Sequence, residues 1–180
     1  MRIYRSLKTN LLTQGYGIDK TNPNLLPFYQ SIGLRGHNGW DWSAPIVTPI
    51  YWNGNSRGKV LSIIDDSTYG KYIEVISEDE GIVYKHIFAH LSEFKCTAGD
   101  YLETGQLFCL SGNSGKYTTG PHLHYGLKIC QKDQFGNYQT INKDNGYFGA
   151  IDPMPYFENI FVLDKVEGMK NQISILQAMI

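Results

Sequence analysis

The sequence lacks the features that direct a protein to a membrane or to nucleic acid. Its 180 residues carry a formal net charge of −1, so no global positive field attracts it to nucleic acid or to anionic wall polymers. No stretch reaches the roughly 20 apolar residues of a membrane span. Residues 1–17 lack the apolar core, roughly 7–15 residues long, of a secretory signal. We therefore expect no membrane span, no nucleic-acid partner and no signal peptide.

Cysteine is scarce as well. The three cysteines, Cys96, Cys109 and Cys130, form no Cys-x-x-Cys spacing of the kind that binds zinc. Cys109 and Cys130 lie in apolar runs, which predicts buried thiols rather than a disulfide. Free thiols are typical of a protein that folds in a reducing compartment.

The composition is that of a globular chain. Hydrophobic residues make up 42%, aromatic residues 13% and charged residues 18% of the sequence, which excludes a disordered chain. A length of 180 residues suits one domain with a sizeable core.

A His-x-His pair marks the most distinctive stretch of the chain. His122 and His124 lie in the run from Gly120 to Leu127, whose apolar residues alternate as in a strand. Side chains two apart in a strand point to the same face, so the two imidazoles would lie side by side, about 7 Å apart. Such a pair can supply one metal ligand and one free acid or base.

Two further histidine motifs lie upstream. His37 and Asp41 form a His-x-x-x-Asp pair on a glycine-rich approach to a strand, and Phe88-Ala89-His90-Leu91 closes another strand. Zinc accepts imidazole nitrogen and carboxylate oxygen, and a catalytic zinc site keeps three protein ligands. His37, Asp41 and one histidine of the His-x-His pair would complete such a set. A turn histidine and a capping aspartate are the alternative interpretation of the first motif.

Together the three motifs resemble the pattern of the lysostaphin-type (LytM-like) zinc metallopeptidases, which cut peptide cross-links in bacterial cell walls. That pattern joins His-x-x-x-Asp, a strand ending in Ala-His-Leu, and a Gly-x-Ser-Gly loop leading to Thr-Gly-x-His-x-His. The chain matches it in order and spacing at residues 37–41, 88–91 and 111–124. The resemblance covers roughly residues 11–157.

The resemblance implies an activity and a role for each motif residue. His37, Asp41 and His124 would bind one zinc ion per chain, and His90 and His122 would move protons. The implied activity is zinc-dependent endopeptidase cleavage of peptidoglycan cross-links. One of the two free histidines would act as general base and the other as oxyanion stabiliser.

Four residues are candidates for substrate contact. Asn113, Thr118 and Thr119 lie in a glycine-rich loop, where glycine allows the backbone to approach a ligand closely. Tyr29 precedes the first zinc histidine, where some relatives carry a tyrosine that stabilises the oxyanion. Core packing is the alternative role for Tyr29.

The fifth histidine, His86, has the same parity as His90 in one predicted strand. We therefore expect the two on the same face of that strand, about 13 Å apart. That separation is too large for one zinc site, so the sequence predicts a structural or rim position for His86.

The expected fold class is mainly β, a curved antiparallel sheet with a substrate groove. Strands are predicted over residues 58–64, 71–77 and 81–90, with turns that favour an antiparallel meander. Residues 20–32, with two prolines, are predicted as a polar loop.

Two regions are expected, a peptidase domain over residues 1–157 and a short C-terminal amphipathic helical tail over residues 158–180. The tail contains apolar residues at helical spacing: Val166, Met169, Ile173, Leu176 and Ile180. This stripe would dock on its own domain, or would contact a second copy or a phage particle.

Three other assignments compete with the hydrolase. One is a structural tail-tip protein in which the peptidase is incidental to assembly, and only the C-terminal apolar stripe favours it. A catalytically inactive wall-binding protein or phage tail scaffold would have the same fold, but inactive relatives lose ligands and this chain retains all five positions. D-alanyl-D-alanine zinc peptidases also use His-x-His, but they separate the first His and Asp by six residues instead of three. Without a secretory signal, we expect a wall hydrolase to be released by phage lysis, to be part of a virion, or to have lost a leader segment.

Overall fold

The computed structural model describes residues 1–178 as a mainly β fold. The strands are β1 (Ile3–Arg5), β2 (Leu12–Gln14), β3 (Trp40–Ser43), β4 (Pro49–Tyr51), β5 (Gly58–Asp66), β6 (Gly70–Asp79), β7 (Ile82–Phe94), β8 (Tyr101–Leu102), β9 (Leu107–Ser111), β10 (His122–Lys132), β11 (Tyr138–Thr140), β12 (Ala150–Ile151) and β13 (Phe157–Phe161). The α-helices are α1 (Leu26–Ser31) and α2 (Val162–Ala178), and 3-10 turns span Pro23–Leu25 and Met154–Tyr156. The predicted fold class is confirmed.

One large antiparallel sheet contains most of the strands. Its main path runs β2-β3-β10-β7-β6-β5-β8, and β5, β6 and β7 form the predicted meander. The His-x-His strand β10 lies between β3 and β7. The three predicted histidine motifs are therefore carried on three neighbouring strands or their approaches.

The main core packs against one face of this sheet. Its largest fully buried side chains include Trp52, Phe88, Phe108, Leu123 and Leu127. Within β10, Leu123, Tyr125 and Leu127 belong to this core cluster, as the alternation predicted. The three cysteines are free thiols, and Cys109 and Cys130 are buried as predicted.

The segment predicted as a polar loop between residues 20 and 32 contains a 3-10 turn followed by α1. That prediction was wrong in part, because it took Pro23 and Pro27 as loop signals. Both prolines stand in the first positions of these short helices, where a proline has no hydrogen bond to lose and its φ is already helical. This segment forms one side of the candidate site.

The C-terminal region contains a strand before its helix. β13 begins at Phe157 and pairs in parallel with β1, and α2 begins at Val162. Within α2 only Val162 is buried, and the predicted stripe is 48–62% exposed at Met169, Ile173 and Leu176. Ile180 lies outside the described residues. The division at residue 157 and a contact of the stripe with a second copy or a phage particle stay predictions.

No helix within residues 1–178 combines the length and the apolar character that crossing a membrane requires.

Candidate active site

His37, Asp41 and His124 meet at one point. His37 Nε2 lies 3.1 Å from His124 Nδ1. Asp41 Oδ1 lies 3.2 Å from His37 Nε2 and 2.9 Å from His124 Nδ1. The antiparallel register of β3 and β10 places His124 directly opposite Asp41, and paired residues point to the same face of a sheet.

The donor set fits a tetrahedral metal ion. Zinc–nitrogen distances of about 2.0–2.1 Å place neighbouring tetrahedral ligands about 3.3 Å apart, close to the observed separations. The Nδ1–H of His37 donates to the Gly15 carbonyl at 2.9 Å, which leaves the Nε2 lone pair free to bind a cation. Such a backbone partner is typical of a metal-binding histidine. The three residues could hold a metal ion.

Gly39 makes the close approach of these ligands sterically feasible. A Cβ at this position would lie 2.6 Å from the His124 ring and 2.6 Å from the Tyr125 carbonyl oxygen. Real Cβ atoms do not come that close, so any larger residue would displace β10 from β3. The glycine in the first motif thus lets His124 approach His37 and Asp41.

Asp41 is ionised in this arrangement. Burial raises the pKa of its carboxyl, but the charges of the two histidines and their hydrogen bonds outweigh burial and hold the pKa well below its usual range. The carboxylate retains 16% exposure of its side chain. The Asp41 carboxylate therefore presents a negative charge to the cavity beside it.

His122 lies next to this group on the same face of β10. Its Nδ1–H donates to the Gly120 carbonyl at 2.7 Å, and its Nε2 lies 3.6 Å from Asp41 Oδ2. Because Nδ1 carries the proton, Nε2 is available to exchange one with a ligand in the cavity. The predicted side-by-side placement of His122 and His124 is confirmed.

His90 reaches the same cavity through an unusual backbone conformation. β7 pairs with β10 so that Ala89 lies opposite His124, and simple alternation would turn His90 away from the groove. Its φ of 60° redirects the side chain, as irregular residues often do beside active sites. The His90 and His122 ring centroids are then 4.7 Å apart.

Two backbone hydrogen bonds hold His90 in place. Its N–H donates to the Tyr69 carbonyl at 3.1 Å, and its Nδ1–H donates to the Ser114 carbonyl at 2.8 Å. Burial lowers the pKa of His90 to about 4. The ring is therefore neutral at pH 7, with Nε2 unprotonated.

The prediction that His86 shares a face with His90 was wrong. His86 is fully buried on the core face, where Ser77 Oγ and the Tyr125 hydroxyl each lie 2.8 Å from one ring nitrogen. Parity failed because the left-handed residue His90 reverses the alternation at the end of β7. The structural role predicted for His86 agrees with its burial.

Sequence reasoning missed Tyr69 and Asn38. The Tyr69 ring stacks on His124 at 5.3 Å, and its hydroxyl accepts a hydrogen bond from Asn38 Nδ2 at 2.7 Å. Burial raises the pKa of Tyr69 to about 12, so the hydroxyl stays protonated at pH 7. Asn38 could have been predicted as a site residue, because it follows His37 directly in the sequence. Tyr69 could not, because it lies in the turn between β5 and β6, far along the chain from His37 and His124.

The five motif residues line a cavity of about 260 Å³, together with Tyr29. Tyr29 is buried in α1, and its hydroxyl donates to Gln14 Oε1 at 3.0 Å. An adjoining cavity of about 450 Å³ is lined in part by Thr118 and Thr119. Asn113 is exposed, and its Oδ1 accepts a hydrogen bond from Thr118 Oγ1. Substrate contact by these four residues stays a prediction.

An antiparallel β fold that brings a His-Asp-His group able to hold a metal ion beside two further imidazoles indicates the class of metal-dependent hydrolases. The comparison with known proteins gives the particular family. A model of peptidase family M23 matches residues 35–143, and the chain belongs to this family.

Individual relatives agree with this assignment. Peptidoglycan DD-endopeptidase ShyA of Vibrio cholerae is 38% identical over 93 residues, which are 52% of this chain and 20% of ShyA. Lysostaphin of Staphylococcus simulans is 31% identical over 131 residues, covering 71% of this chain and 23% of lysostaphin. A solved structure of LytU superposes with a TM-score of 0.58 at 28% identity, covering 83% of this chain and 86% of LytU. The chain thus spans about a fifth to a quarter of the curated relatives' length.

Proposed function

We propose that this protein is a zinc-dependent endopeptidase that cleaves the peptide cross-links of bacterial peptidoglycan. The observation that carries the proposal is the convergence of His37, Asp41 and His124 on one point beside two imidazoles that are not part of the group. Membership of family M23 supports the reaction class. The relative ShyA is a peptidoglycan DD-endopeptidase, which supports the cell wall as the place of action.

The three ligand side chains would hold one zinc ion per chain. Two neutral imidazoles and one carboxylate leave a net positive charge on the metal. When bound, such an ion supplies Lewis-acid polarisation of a water molecule and of the scissile carbonyl. The remaining chemistry falls to side chains of this chain.

His90 and His122 would move the protons. Each has Nδ1–H fixed on a backbone carbonyl, so each directs Nε2 to the cavity. One would accept the proton of the attacking water and deliver it to the leaving amine. The other, when protonated, would donate to the developing oxyanion. The Tyr29 hydroxyl would be a further donor to that oxyanion if it exchanged its hydrogen bond to Gln14 Oε1 for one to the substrate. Thr118 and Thr119 would lie along the substrate.

The test is digestion of purified peptidoglycan with protein of measured zinc content. We expect one zinc per chain, release of peptides detectable by mass spectrometry, loss of release after chelation and recovery on adding zinc. His124→Ala is the matched control, because it removes one ligand without changing the surface of the protein. Peptide release by zinc-free protein would contradict the metal requirement.

A catalytically inactive wall-binding protein is the competing function. It would bind peptidoglycan in the same experiment and release no peptide, with or without zinc. The protein would then be a binding module or scaffold with the family fold, which is the alternative that the sequence left open.

A further inference from the structure

The cavity at the metal-binding group exposes an apolar surface that the proposed chemistry does not use. Four of its lining side chains form what we call the apolar shelf: Phe28, Ile32, Leu34 and Phe148. Phe28 is 38% and Phe148 is 48% exposed. Exposed aromatic residues that share a cavity with a candidate active site indicate a surface that a ligand covers.

Two separate segments build the apolar shelf. Phe28 lies in α1 and Ile32 and Leu34 follow it, whereas Phe148 comes from the loop between β11 and β12. The Arg35 N–H donates to the Gly146 carbonyl at 2.9 Å and ties the two segments together. A Cβ at Gly33 would lie 3.6 Å from the Phe148 ring, so the ring packs directly over the first segment.

Phe148 is fixed in a conformation that bulky residues rarely adopt. Its φ is 53°, in the left-handed region. The Asn145 side chain holds both neighbours, because its Oδ1 accepts from Tyr147 N–H at 2.8 Å and from Gly149 N–H at 3.0 Å. Strained residues that are held rigidly by their surroundings cluster at ligand clamps. An exposed, strained phenylalanine at this cavity is therefore more than a packing residue.

The apolar shelf lies outside the part of the chain that defines the family. The family match covers residues 35–143, which include all five metal-binding and proton-transfer candidates. The four shelf residues lie before or after that range. The chemistry and the apolar shelf thus come from different parts of the sequence, as expected when selection of the substrate is separate from catalysis.

The adjoining cavity combines apolar and polar side chains. Its lining includes polar side chains from two sides: Thr13, Gln14, Ser43, Lys116, Thr118 and Thr119. The two cavities share Phe28, Asp41 and His122, so an extended peptide at the site would contact both. The other three shelf residues, Ile32, Leu34 and Phe148, line only the cavity at the metal-binding group, so one end of such a peptide would meet an apolar wall.

We propose that the apolar shelf binds an apolar side chain on a substrate residue next to the scissile bond. This inference rests on the proposed function and adds a substrate class to it. The protein would prefer cross-links in which that residue is alanine or larger over cross-links made of glycine alone, because glycine leaves the shelf in contact with water. One methyl or methylene group in an apolar pocket typically changes kcat/KM about 10–200-fold.

The test compares two peptidoglycans, one cross-linked through glycine bridges and one cross-linked directly through D-alanine, with synthetic peptides that differ by one glycine-to-alanine change. The wild-type zinc protein should show a kcat/KM at least about tenfold higher for the alanine member of each pair. Ile32→Ser and Phe148→Asn should each reduce that ratio severalfold, asparagine being tolerated at positive φ. Phe135→Ser is the control, because Phe135 is 79% exposed in the hairpin between β10 and β11, and its ratio should equal that of wild type.

Equal or faster cleavage of the glycine substrates would overturn the inference while leaving the proposed function intact. A ratio that both shelf variants leave unchanged would overturn it as well, provided that circular dichroism shows them folded. Cleavage of neither substrate by zinc-loaded wild type would instead overturn the proposed function. The two failures are therefore distinguishable.

Discussion

The two faces of the strand pair β7–β10 use histidine in opposite ways. On the core face, His86 is fully buried, with the hydroxyls of Ser77 and Tyr125 each 2.8 Å from one of its ring nitrogens. On the groove face, His124 Nδ1 lies 3.1 Å from His37 Nε2 and 2.9 Å from Asp41 Oδ1. An imidazole with a neutral partner on each nitrogen can only support the fold. By contrast, an imidazole nitrogen that lies beside another imidazole nitrogen and a carboxylate oxygen is stabilised best when the three atoms bind a cation.

The comparison also shows how the two faces depend on each other. Tyr125, beside His124 in β10, contacts His86 on the core face. The core network therefore fixes the strand that carries the proposed ligand and base. Mutations on the groove face should change chemistry at nearly constant stability, and mutations on the core face should do the reverse.

The largest effect is expected for Asp41→Ala. Removing the carboxylate leaves two imidazoles with no negative partner, so we expect loss of stoichiometric zinc and loss of several orders of magnitude in turnover. Zinc content by mass spectrometry and peptide release measure both. Asp65→Ala, at an exposed aspartate in β5, is the matched control. Retention of one tightly bound zinc by Asp41→Ala would refute the ligand assignment.

The next largest effects are expected for His90→Ala and His122→Ala. Each variant should keep its zinc, because neither residue belongs to the His-Asp-His group. Loss of positioned proton transfer typically costs about 10²–10⁴-fold in rate. Single-turnover kinetics on a defined peptide, with zinc content measured on the same samples, separates the two properties. Wild-type turnover in either variant would remove that histidine from the mechanism.

A smaller effect is expected for Tyr69→Leu, which removes both the ring stacked on His124 and the hydroxyl bonded to Asn38. Residues that orient metal ligands typically contribute about 10–100-fold to metal affinity or activity. Tyr69→Phe keeps the stacked ring and should therefore lose less zinc affinity than Tyr69→Leu. Zinc affinity measured by chelator competition tests this, with Tyr84→Phe in the core as the control. Equal zinc affinity in Tyr69→Leu and wild type would show that Tyr69 only packs.

The sequence predicted that His37, Asp41, His122 and His124 would lie together because each lies in a short motif whose geometry is local. His122 and His124 needed only strand alternation, and the pairing of β3 with β10 then brought Asp41 opposite His124. The meander and the mainly β class followed from turn spacing. These features depend on backbone regularity that sequence periodicity records.

The sequence did not predict features that depend on contacts between distant segments. The positive φ of His90 follows from bonds to Tyr69 and Ser114, and no periodicity records it. Tyr69 reaches His124 from the turn between β5 and β6. The apolar shelf requires the loop that carries Phe148 to pack over Gly33. In each case a tertiary contact overrides the local pattern.

Among these variants, His86→Gln should have the smallest effect on turnover and the largest effect on the free energy of unfolding. Glutamine can replace one of the two hydrogen bonds, so one buried hydroxyl loses its partner, at a cost of about 1–3 kcal/mol in the free energy of unfolding. Turnover per folded, zinc-loaded molecule should stay within about twofold, an estimate that follows because His86 faces the core. Urea denaturation at pH 8 and kinetics on the same preparation measure the two quantities.

The pH dependence of stability distinguishes the two faces most directly. Burial lowers the pKa of His86 to about 3, whereas an unfolded histidine titrates near 6.5. Between these values the unfolded chain binds the extra proton, so this contribution to stability is complete above about pH 6.5 and is lost as the pH falls toward 3. The loss amounts to about 1.4 kcal/mol per pH unit for one group. Urea denaturation at several pH values between 4 and 6 gives the free energy of unfolding as a function of pH. The slope of that plot reports the number of protons taken up on unfolding, and it should be lower by about one proton in His86→Gln than in wild type. Identical slopes would mean that His86 is protonated in the folded state, and the contrast between a closed core network and an open groove cluster would fail.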